Sequence, residues 1–532
     1  MLSIVKRFRV FLLAMVLVFA TVIPSWIPSA SAETADFTQL NASQIVFEMG
    51  AGWNLGNQLE LSSNGTPSES IPNVTQAFIQ RVKAAGFKTI RIPVSYLNKI
   101  GSAPNYTIDS AWLNRVKAVV DYAYNEGLYV ITNIHGDGYN SVTGSWLLVN
   151  SNDQTTIRAK YQKVWQQIAN TFVNYDEHLI FESMNEEFDG TYGTPNPTYY
   201  SNLNAYNQIF VDTVRQTGGN NSARWLLIPG WNTSIDYTVG NYGFALPTDN
   251  YRSSAIPSSE KRIMISVHYY SPWDFCGEES GTITQYGATA TNPSKKSTWG
   301  QEDYLDSQLK STYDKFATQG YPVVIGEFGS IDKTAFDSTN NTYRAAFAKA
   351  VSTTARKYGS VPIIWDNGWN GSYGFGLFNR STYAITQQGI IDAIMSVMNT
   401  HKMKNVATGL YIDGMGRTAD GSNAGQWSAG TSNNQRWIME FYGSYYKIKN
   451  VTTGLYLDGM GRTAIGSICG QWRNSTSWNQ QWVLEPYGSN YRIKNASTGL
   501  YLDGGGSTAN GSDLKQWSSD TSTNLQWQFV NP

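Results

Sequence analysis

The chain of 532 residues is longer than a single hydrophobic core usually serves, so at least two domains are expected. The formal net charge is −1 and becomes −4 without the three basic side chains of the first 32 residues, which excludes a broad basic surface for nucleic acid or anionic lipid. Two cysteines, Cys276 and Cys469, are too few for a disulfide framework.

The first 32 residues have the pattern of a secretory signal peptide. Three basic residues within positions 1–9 precede an apolar run over residues 10–23, and the small residues Ala30 and Ala32 mark a cleavage site. The run is shorter than the roughly 20 residues that a membrane-spanning helix needs. We therefore expect a mature chain from Glu33 that is secreted, extracellular and free of the membrane; an uncleaved anchor is the alternative.

From residue 51 to about residue 400, apolar strand-like runs alternate with amphipathic helices. Eight runs fit strands: GWNLGN, TIRIPV, YVITNI, LIFESMN, WLLIPG, IMISVH, PVVIGEF and PIIWD. Eight such units predict a (β/α)8 barrel of the TIM type, within a domain over residues 33–399. An open doubly wound sheet is the alternative, but no Gly-rich phosphate loop follows the first strand.

Polar and aromatic residues stand at the ends of six of these strands, where active sites of such barrels lie. They are Arg91, His135, Asn185, Glu186, His268, Tyr270, Glu327 and Trp365. Glu186 and Glu327 end apolar strands, and burying them would be costly unless the site uses their charge. Two carboxylates facing each other across a substrate are the minimum equipment of a glycosidase.

Seven motifs, in order over residues 45–399, resemble glycoside hydrolase family 5, the cellulase family: AGWNLGNQLE, RIPV, NIHGDG, MNE, SVHYYSPWD, VVIGEFG and WDNG. The resemblance is to bacterial endo-β-1,4-glucanases, lichenases and xyloglucanases. It implies a retaining endo-β-1,4-glucanase that hydrolyses plant cell-wall β-glucan by double displacement, with no metal and no cofactor. Xyloglucanase, lichenase, mannanase and xylanase activities stay open, as does a non-catalytic carbohydrate-binding protein.

The same resemblance implies roles for the strand-end residues. Glu186 is the expected general acid/base and Glu327 the expected nucleophile. Asn185 is expected to hydrogen-bond the sugar 2-OH, and Arg91 to keep Glu327 ionised.

The remaining strand-end residues are expected to support this pair. His268 and Tyr270 would orient the two glutamates, while His135 and Trp365 would line the subsite of the reacting sugar. Gly136 stands where many relatives have a second His. Trp53, Trp146, Trp273 and Trp369 are candidate cleft walls, with core packing as the alternative.

Three further acids stand near Glu186. Glu182 is expected to be paired inside the barrel, and Glu187 and Asp189 are expected to be loop residues.

The C-terminal part holds three copies of a 45-residue unit. GLYIDGMGRTADGS, GLYLDGMGRTAIGS and GLYLDGGGSTANGS begin at residues 409, 454 and 499. Alternating runs between Gly, Asn and Ser turns indicate strands without helices. Because single units cannot bury their apolar faces, we expect a closed threefold all-β domain over residues 402–532.

These repeats resemble ricin-B-like β-trefoil lectin domains, which also serve as carbohydrate-binding modules. The resemblance implies sugar pockets that each combine an Asp, an aromatic platform and a polar pair. The matching residues are Asp413, Asp458 and Asp503; Trp427, Trp472 and Trp517; and Asn434 with Gln435 and Asn479 with Gln480. Leu525 replaces the glutamine in the third repeat, whose pocket is therefore expected to differ. The last Trp of each repeat is expected in the core.

No Ser-, Pro- or Gly-rich tether separates Asn399 from the first repeat. The two domains are therefore expected to lie close together and to move little. A monomer is expected.

Overall fold

The computed structural model describes residues 40–63, 65–70, 72–442 and 445–530. The predicted signal peptide lies outside these residues. No helix in the described ranges combines the length and apolarity that crossing a bilayer requires.

Eight parallel strands form a closed barrel in chain order. They are β1 Gly52–Asn54, β2 Thr89–Ile92, β3 Tyr129–Asn133, β4 Leu179–Glu182, β5 Leu226–Pro229, β6 Ile263–Tyr269, β7 Val323–Phe328 and β8 Ser360–Ile364. The sheet closes because β1 pairs with both β2 and β8. The strands read as apolar runs because both of their faces are buried. The predicted (β/α)8 barrel is confirmed.

Helices surround the barrel, and the longer ones each bury one apolar stripe. Their bounds are Gln76–Ala84, Ser110–Tyr124, Gln154–Thr171, Pro197–Gln216, Ile235–Val239, Trp273–Cys276, Glu302–Lys315, Asn340–Lys357 and Gln388–Met398. The helix Ser110–Tyr124 shows the cause: Val116, Val119 and Val120 are buried at helical spacing. Asp109 caps this helix by accepting a hydrogen bond from the Trp112 N–H.

One further helix, α1 (Ala42–Met49), precedes the barrel. Asn41 and Gln44 form a capping box at its start. Ile45 and Met49 belong to an apolar cluster with side chains from six barrel strands. The helix therefore covers the N-terminal ends of the strands, opposite the rim where an active site is expected.

The C-terminal domain is a sheet of 14 strands with antiparallel pairing. Their bounds are Thr400–Asn405, Tyr411–Asp413, Ser422–Asn423, Gly425–Trp427, Trp437–Tyr442, Tyr445–Asn450, Tyr456–Asp458, Gly470–Trp472, Trp482–Tyr487, Asn490–Asn495, Tyr501–Asp503, Ser512–Asp513, Lys515–Trp517 and Trp527–Val530. The first strand begins at Thr400, two residues before the predicted domain start.

The last Trp of each repeat is fully buried, as expected. The indoles of Trp437, Trp482 and Trp527 each donate to a backbone carbonyl at 3.0 Å, in equivalent positions of the three repeats. The threefold repeat in sequence is therefore a threefold repeat in the packing of the core. The all-β trefoil prediction is confirmed.

Candidate active site

A buried guanidinium lies at the centre of the barrel rim. Arg91 donates through Nε to Glu182 at 2.7 Å and through Nη1 to Glu327 at 2.8 Å. Its Nη1 also reaches Asn54 at 3.0 Å, and its Nη2 reaches Asn185 at 2.5 Å. Burial acts against its charge, but the two carboxylates outweigh burial and raise the pKa of Arg91. One side chain thus joins residues of β1, β4 and β7.

Glu327 is held from two sides. Its Oε1 accepts from Arg91, and its Oε2 accepts from the Tyr270 hydroxyl at 3.0 Å. Burial raises the pKa of the Glu327 carboxyl, and the positive charge of Arg91 opposes that rise. Only 7% of the side chain is exposed, so its orientation is fixed by these partners.

Glu186 is more open to solvent, with 31% of its side chain exposed. Its Oε1 lies 2.6 Å from His268 Nδ1, and the same nitrogen lies 3.7 Å from Glu327 Oε2. The backbone at Glu186 has φ +33°, a strained conformation that costs about 1–3 kcal/mol for a residue with a Cβ. The surrounding packing therefore holds the backbone at Glu186 in a conformation that a residue with a Cβ disfavours.

The two glutamates and His268 bring one ligand atom each within 4.8 Å of one another. A divalent cation could also be held at that spacing by a histidine and two carboxylates. The closeness of Glu186 and Glu327 matters for the chemistry below, since 141 residues separate them in the chain.

His135 and Trp365 lie together beside this group. Their rings are stacked with centroids 6.1 Å apart and an angle of 13° between planes. Burial and the nearby Arg91 charge lower the pKa of His135 well below its usual value, so the ring is neutral. Trp365 packs against Gly56, where an added Cβ would lie 2.7 Å from the indole. All eight strand-end residues named from the sequence are thus on one rim.

Two residues of this group were not predicted. The Tyr139 hydroxyl accepts from the Asn185 amide at 2.5 Å, and Asn54 accepts from Arg91. Burial and the charge of Glu186 raise the pKa of Tyr139 well above its usual value, so it stays protonated. Tyr139 follows the HGDG motif directly, and that position is the sequence signal that could have identified it.

Glu182 is paired inside the barrel, in agreement with the expectation. It accepts from Arg91, from Asn133 at 2.9 Å and from Ser266 at 2.7 Å.

Glu187 follows β4 in a loop, as expected, but it is fully buried, which was not foreseen. Burial, together with the charge of Asp137, raises the pKa of Glu187 well above its usual value. Burial also raises the pKa of Asp137 to about 6. Gly138 approaches so closely that a Cβ there would lie 1.6 Å from Glu187 Oε2. This contact joins the loops after β3 and β4, directly beside Glu186.

We expect Glu187→Gln to make stability less dependent on pH. The usual pKa of 4.5 applies to the unfolded chain, and the folded pKa is higher. Between those values the folded state keeps a proton that the unfolded state has lost, so the free energy of unfolding falls by about 1.4 kcal/mol per pH unit. Gln resembles the protonated acid and cannot lose that proton. Denaturant unfolding from pH 5 upward should show a shallower fall in the variant; equal slopes would contradict a buried protonated Glu187.

The candidate cleft walls divide into two groups. Trp273 and Trp369 are 54% and 61% exposed, so their rings are available to a ligand. Trp53 is fully buried and donates to Asp366 at 3.0 Å, which makes it a core residue. Trp146 is half-buried and donates to Asp137 at 2.8 Å.

In the trefoil, the predicted pocket residues of the first repeat surround a cavity of about 450 Å³. Asp413, Trp427 and Asn434 all line it. The Asp residues of the three repeats are buried, and each accepts from the backbone N–H two residues later. The platforms Trp427, Trp472 and Trp517 are 42%, 39% and 37% exposed.

The glutamines of the predicted polar pairs stabilise their own loops. Gln435 donates to the Ser428 carbonyl at 2.8 Å and accepts from the Gly430 N–H at 3.0 Å. Gln480 makes the equivalent bonds in the second repeat. Leu525 is fully buried in the third repeat and cannot make them. The third pocket therefore differs through its loop, while Asp503 and Trp517 are retained.

Comparisons with known proteins agree with this geometry. Residues 55–371 match the family described as Cellulase (glycosyl hydrolase family 5). Residues 395–472 and 478–532 match the ricin-type β-trefoil lectin domain-like family.

Individual relatives match the barrel at identities from 31% to 76%. Endoglucanase A of Paenibacillus barcinonensis is 68% identical over 396 residues, which are 74% of this chain and 98% of that protein. A family 5 xyloglucanase structure from Paenibacillus pabuli, in complex with ligand, is 76% identical with a TM-score of 0.66, covering 66% of this chain and 99% of that one. A xyloglucan-specific endo-beta-1,4-glucanase of Bacteroides ovatus is 31% identical, over 71% of this chain and 74% of that protein.

The barrel, the paired glutamates on its rim and these matches lead to one assignment. The chain belongs to glycosyl hydrolase family 5, as a glycoside hydrolase of the endo-1,4-β-glucanase type with a C-terminal ricin-B-like lectin domain.

Proposed function

We propose that this protein is a secreted enzyme that cuts β-1,4-glucan chains internally, with retention of anomeric configuration. One observation carries the mechanism: one carboxylate oxygen of Glu186 and one of Glu327 lie within 4.8 Å of each other. Retaining glycosidases hold their carboxyl groups about 5–5.5 Å apart, whereas inverting enzymes leave roughly 6.5–9.5 Å for a water. The spacing supports direct attack by a carboxylate.

Glu327 is the proposed nucleophile because its surroundings fix its orientation. Arg91 and Tyr270 each donate to one of its oxygens. In the first step, Glu327 attacks the anomeric carbon and displaces the leaving sugar, forming a glycosyl ester. The positive charge of Arg91 opposes the rise in the pKa of Glu327 that burial causes.

Glu186 is the proposed acid/base because it is open to solvent. It protonates the leaving oxygen in the first step and then takes a proton from the water that hydrolyses the ester. His268 positions Glu186 through its Nδ1. Asn185 is fixed by Arg91 and Tyr139, and its second amide N–H is the proposed donor to the sugar 2-OH.

The substrate class follows from the relatives and the cleft walls. The relatives named above are an endoglucanase and two xyloglucanases. The exposed rings of Trp273 and Trp369 suit the apolar faces of glucosyl units. We infer a β-1,4-glucan backbone, with xyloglucan as a second substrate because the match to the P. pabuli xyloglucanase is 76% identical.

A substrate panel tests this inference. Carboxymethyl-cellulose, xyloglucan, mannan and xylan are incubated with the full chain, and reducing ends are measured. Sugar release from carboxymethyl-cellulose and xyloglucan is expected. Release from mannan or xylan alone would overturn the assigned substrate class.

The trefoil is proposed to hold polysaccharide through the pockets of Asp413 and Asp458. Replacing both platforms, Trp427→Ala and Trp472→Ala, should lower retention on insoluble β-glucan several-fold, because stacking area is lost. Trp517→Ala should have a smaller effect, since the third loop lacks its glutamine. Pull-down with swollen cellulose measures this, and equal loss in the single and double variants would contradict the ranking.

A further inference from the structure

The two domains are joined by a single residue. The last barrel helix ends at Met398, and the first trefoil strand begins at Thr400. The Met439 N–H donates to the Asn399 carbonyl at 2.7 Å, which fixes that one residue to the trefoil. The connection is therefore so short that the domains could part only by rotation about this residue.

Helix α1 places one aromatic side chain, that of Phe47, against the trefoil. The Phe47 ring lies 4.9 Å from His401, 5.2 Å from Tyr491 and 4.6 Å from Phe529, measured between centroids. His401, Tyr446 and Tyr491 are spaced by one repeat length of 45 residues, so they occupy equivalent positions around the threefold axis. Phe47 thus enters the end of the trefoil where the three repeats meet.

Polar contacts between barrel and trefoil surround Phe47. Gln44 donates to the carbonyls of Gly488 and Asn490 at 2.9 and 3.3 Å. Lys88, directly before β2, donates to the Tyr446 hydroxyl at 3.4 Å.

A further polar contact between the domains lies at His401. Arg356, near the end of the helix before β8, contacts His401 Nδ1 at 2.7 Å. Burial and the adjacent cations lower the pKa of His401 well below its usual value, so the ring is neutral and accepts from the guanidinium. The trefoil is therefore docked on residues that precede the barrel strands.

The docked face and the catalytic rim lie at opposite ends of the barrel. Strand β6 has seven residues, which span about 20 Å at roughly 3.3 Å per residue. A glucan chain seated on the rim would have to turn around the whole barrel to reach the trefoil.

The sugar pockets belong to a domain that is docked at the end of the barrel opposite the catalytic rim. Tyr446 contacts the barrel, while Asn450, four residues along the same strand, donates to the carbonyl of Asn434 in the first pocket. Four residues of strand span about 13 Å. The first pocket therefore lies on the docked domain, away from the catalytic rim.

We propose that the trefoil is a fixed anchor, which holds one polysaccharide chain while the cleft cuts another. The proposal rests on the proposed function, and it adds that the bound chain and the cleaved chain differ. The module keeps the enzyme at a surface and does not feed chains into the cleft.

Small-angle scattering of the full chain tests the fixed docking. Phe47→Lys places an ammonium beside Lys88 among the aromatic rings, and Phe47→Leu is the matched apolar control. Wild type and Phe47→Leu should share one compact shape, and Phe47→Lys should have a larger maximum dimension. A broad ensemble in wild type, or no change in Phe47→Lys, would overturn the docking.

Simultaneous binding tests the two-chain arrangement. The full chain with Glu186→Gln, which slows hydrolysis, is loaded on swollen cellulose and titrated with labelled cellotetraose. We expect the cellulose-bound protein to bind labelled cellotetraose with the same Kd as the protein in free solution. Release of the protein by cellotetraose would overturn the proposal. If swollen cellulose never retains the protein, the proposed sugar binding fails, while the scattering result still decides the docking.

Discussion

Replacing Glu327 with alanine is expected to lower kcat on carboxymethyl-cellulose and xyloglucan by about 10⁵–10⁶-fold, the scale seen when a covalent nucleophile is removed from other enzymes. The attacking oxygen is lost, and Glu186 is needed as the acid that protonates the leaving group. The variant should stay folded, because Arg91 keeps Glu182 and Asn185 as partners. Residual activity above one part in a hundred would contradict the nucleophile assignment.

Glu186→Gln provides the matched comparison. A general acid typically contributes 10²–10⁴-fold, so a smaller loss is expected than for Glu327→Ala. The rate of the first step should fall less in Glu186→Gln when the substrate is an aryl glucoside, because its leaving group needs no proton. If both variants lost activity equally with every leaving group, the division of roles between the glutamates would be wrong.

Replacing Arg91 with alanine is expected to destabilise the barrel by about 3–5 kcal/mol, the cost of removing one partner from a buried ion pair. The guanidinium is fully buried between Glu182 and Glu327, and its removal leaves both carboxylates without their cation. Activity should fall as well, because Glu327 and Asn185 lose the donor that fixes them.

The destabilisation caused by Arg91→Ala should depend on pH. Burial raises the pKa of Glu327, and removing Arg91 removes a charge that opposes that rise. Glu327 then takes up a proton more readily, so the destabilisation should be largest at neutral pH and should decrease as pH falls. Arg91→Lys keeps the charge but not the planar guanidinium, so its stability should lie between those of wild type and Arg91→Ala. Denaturant unfolding measures the series; a neutral-pH Arg91→Ala protein as stable as wild type would contradict the central role of this residue.

The rim could be predicted from the sequence because parallel strands bring their carboxyl ends to one edge. Arg91, His268 and Glu327 lie within or at the end of apolar runs, and the closed barrel places them together. Glu182 could likewise be predicted as an internal pair, since it lies inside such a run.

Other features depend on contacts between distant segments and could not be predicted. Glu187 reads as a loop residue, and its burial results from Gly138 of another loop. The 45-residue period relates His401, Tyr446 and Tyr491 to one another, but nothing in it identifies Phe47 as their partner. The role of Gln435 also appears only in three dimensions, as a bond to its own loop.

The measurement that tests the central claim most directly is the configuration of the first product. Proton NMR of the full chain acting on cellotetraose, recorded before mutarotation, resolves the new anomeric proton. Attack by Glu327, followed by water activated by Glu186, predicts that the β-anomer appears first. The α-anomer as first product would show a single displacement by water, and would contradict the account of two carboxylates within 4.8 Å acting in turn on one carbon.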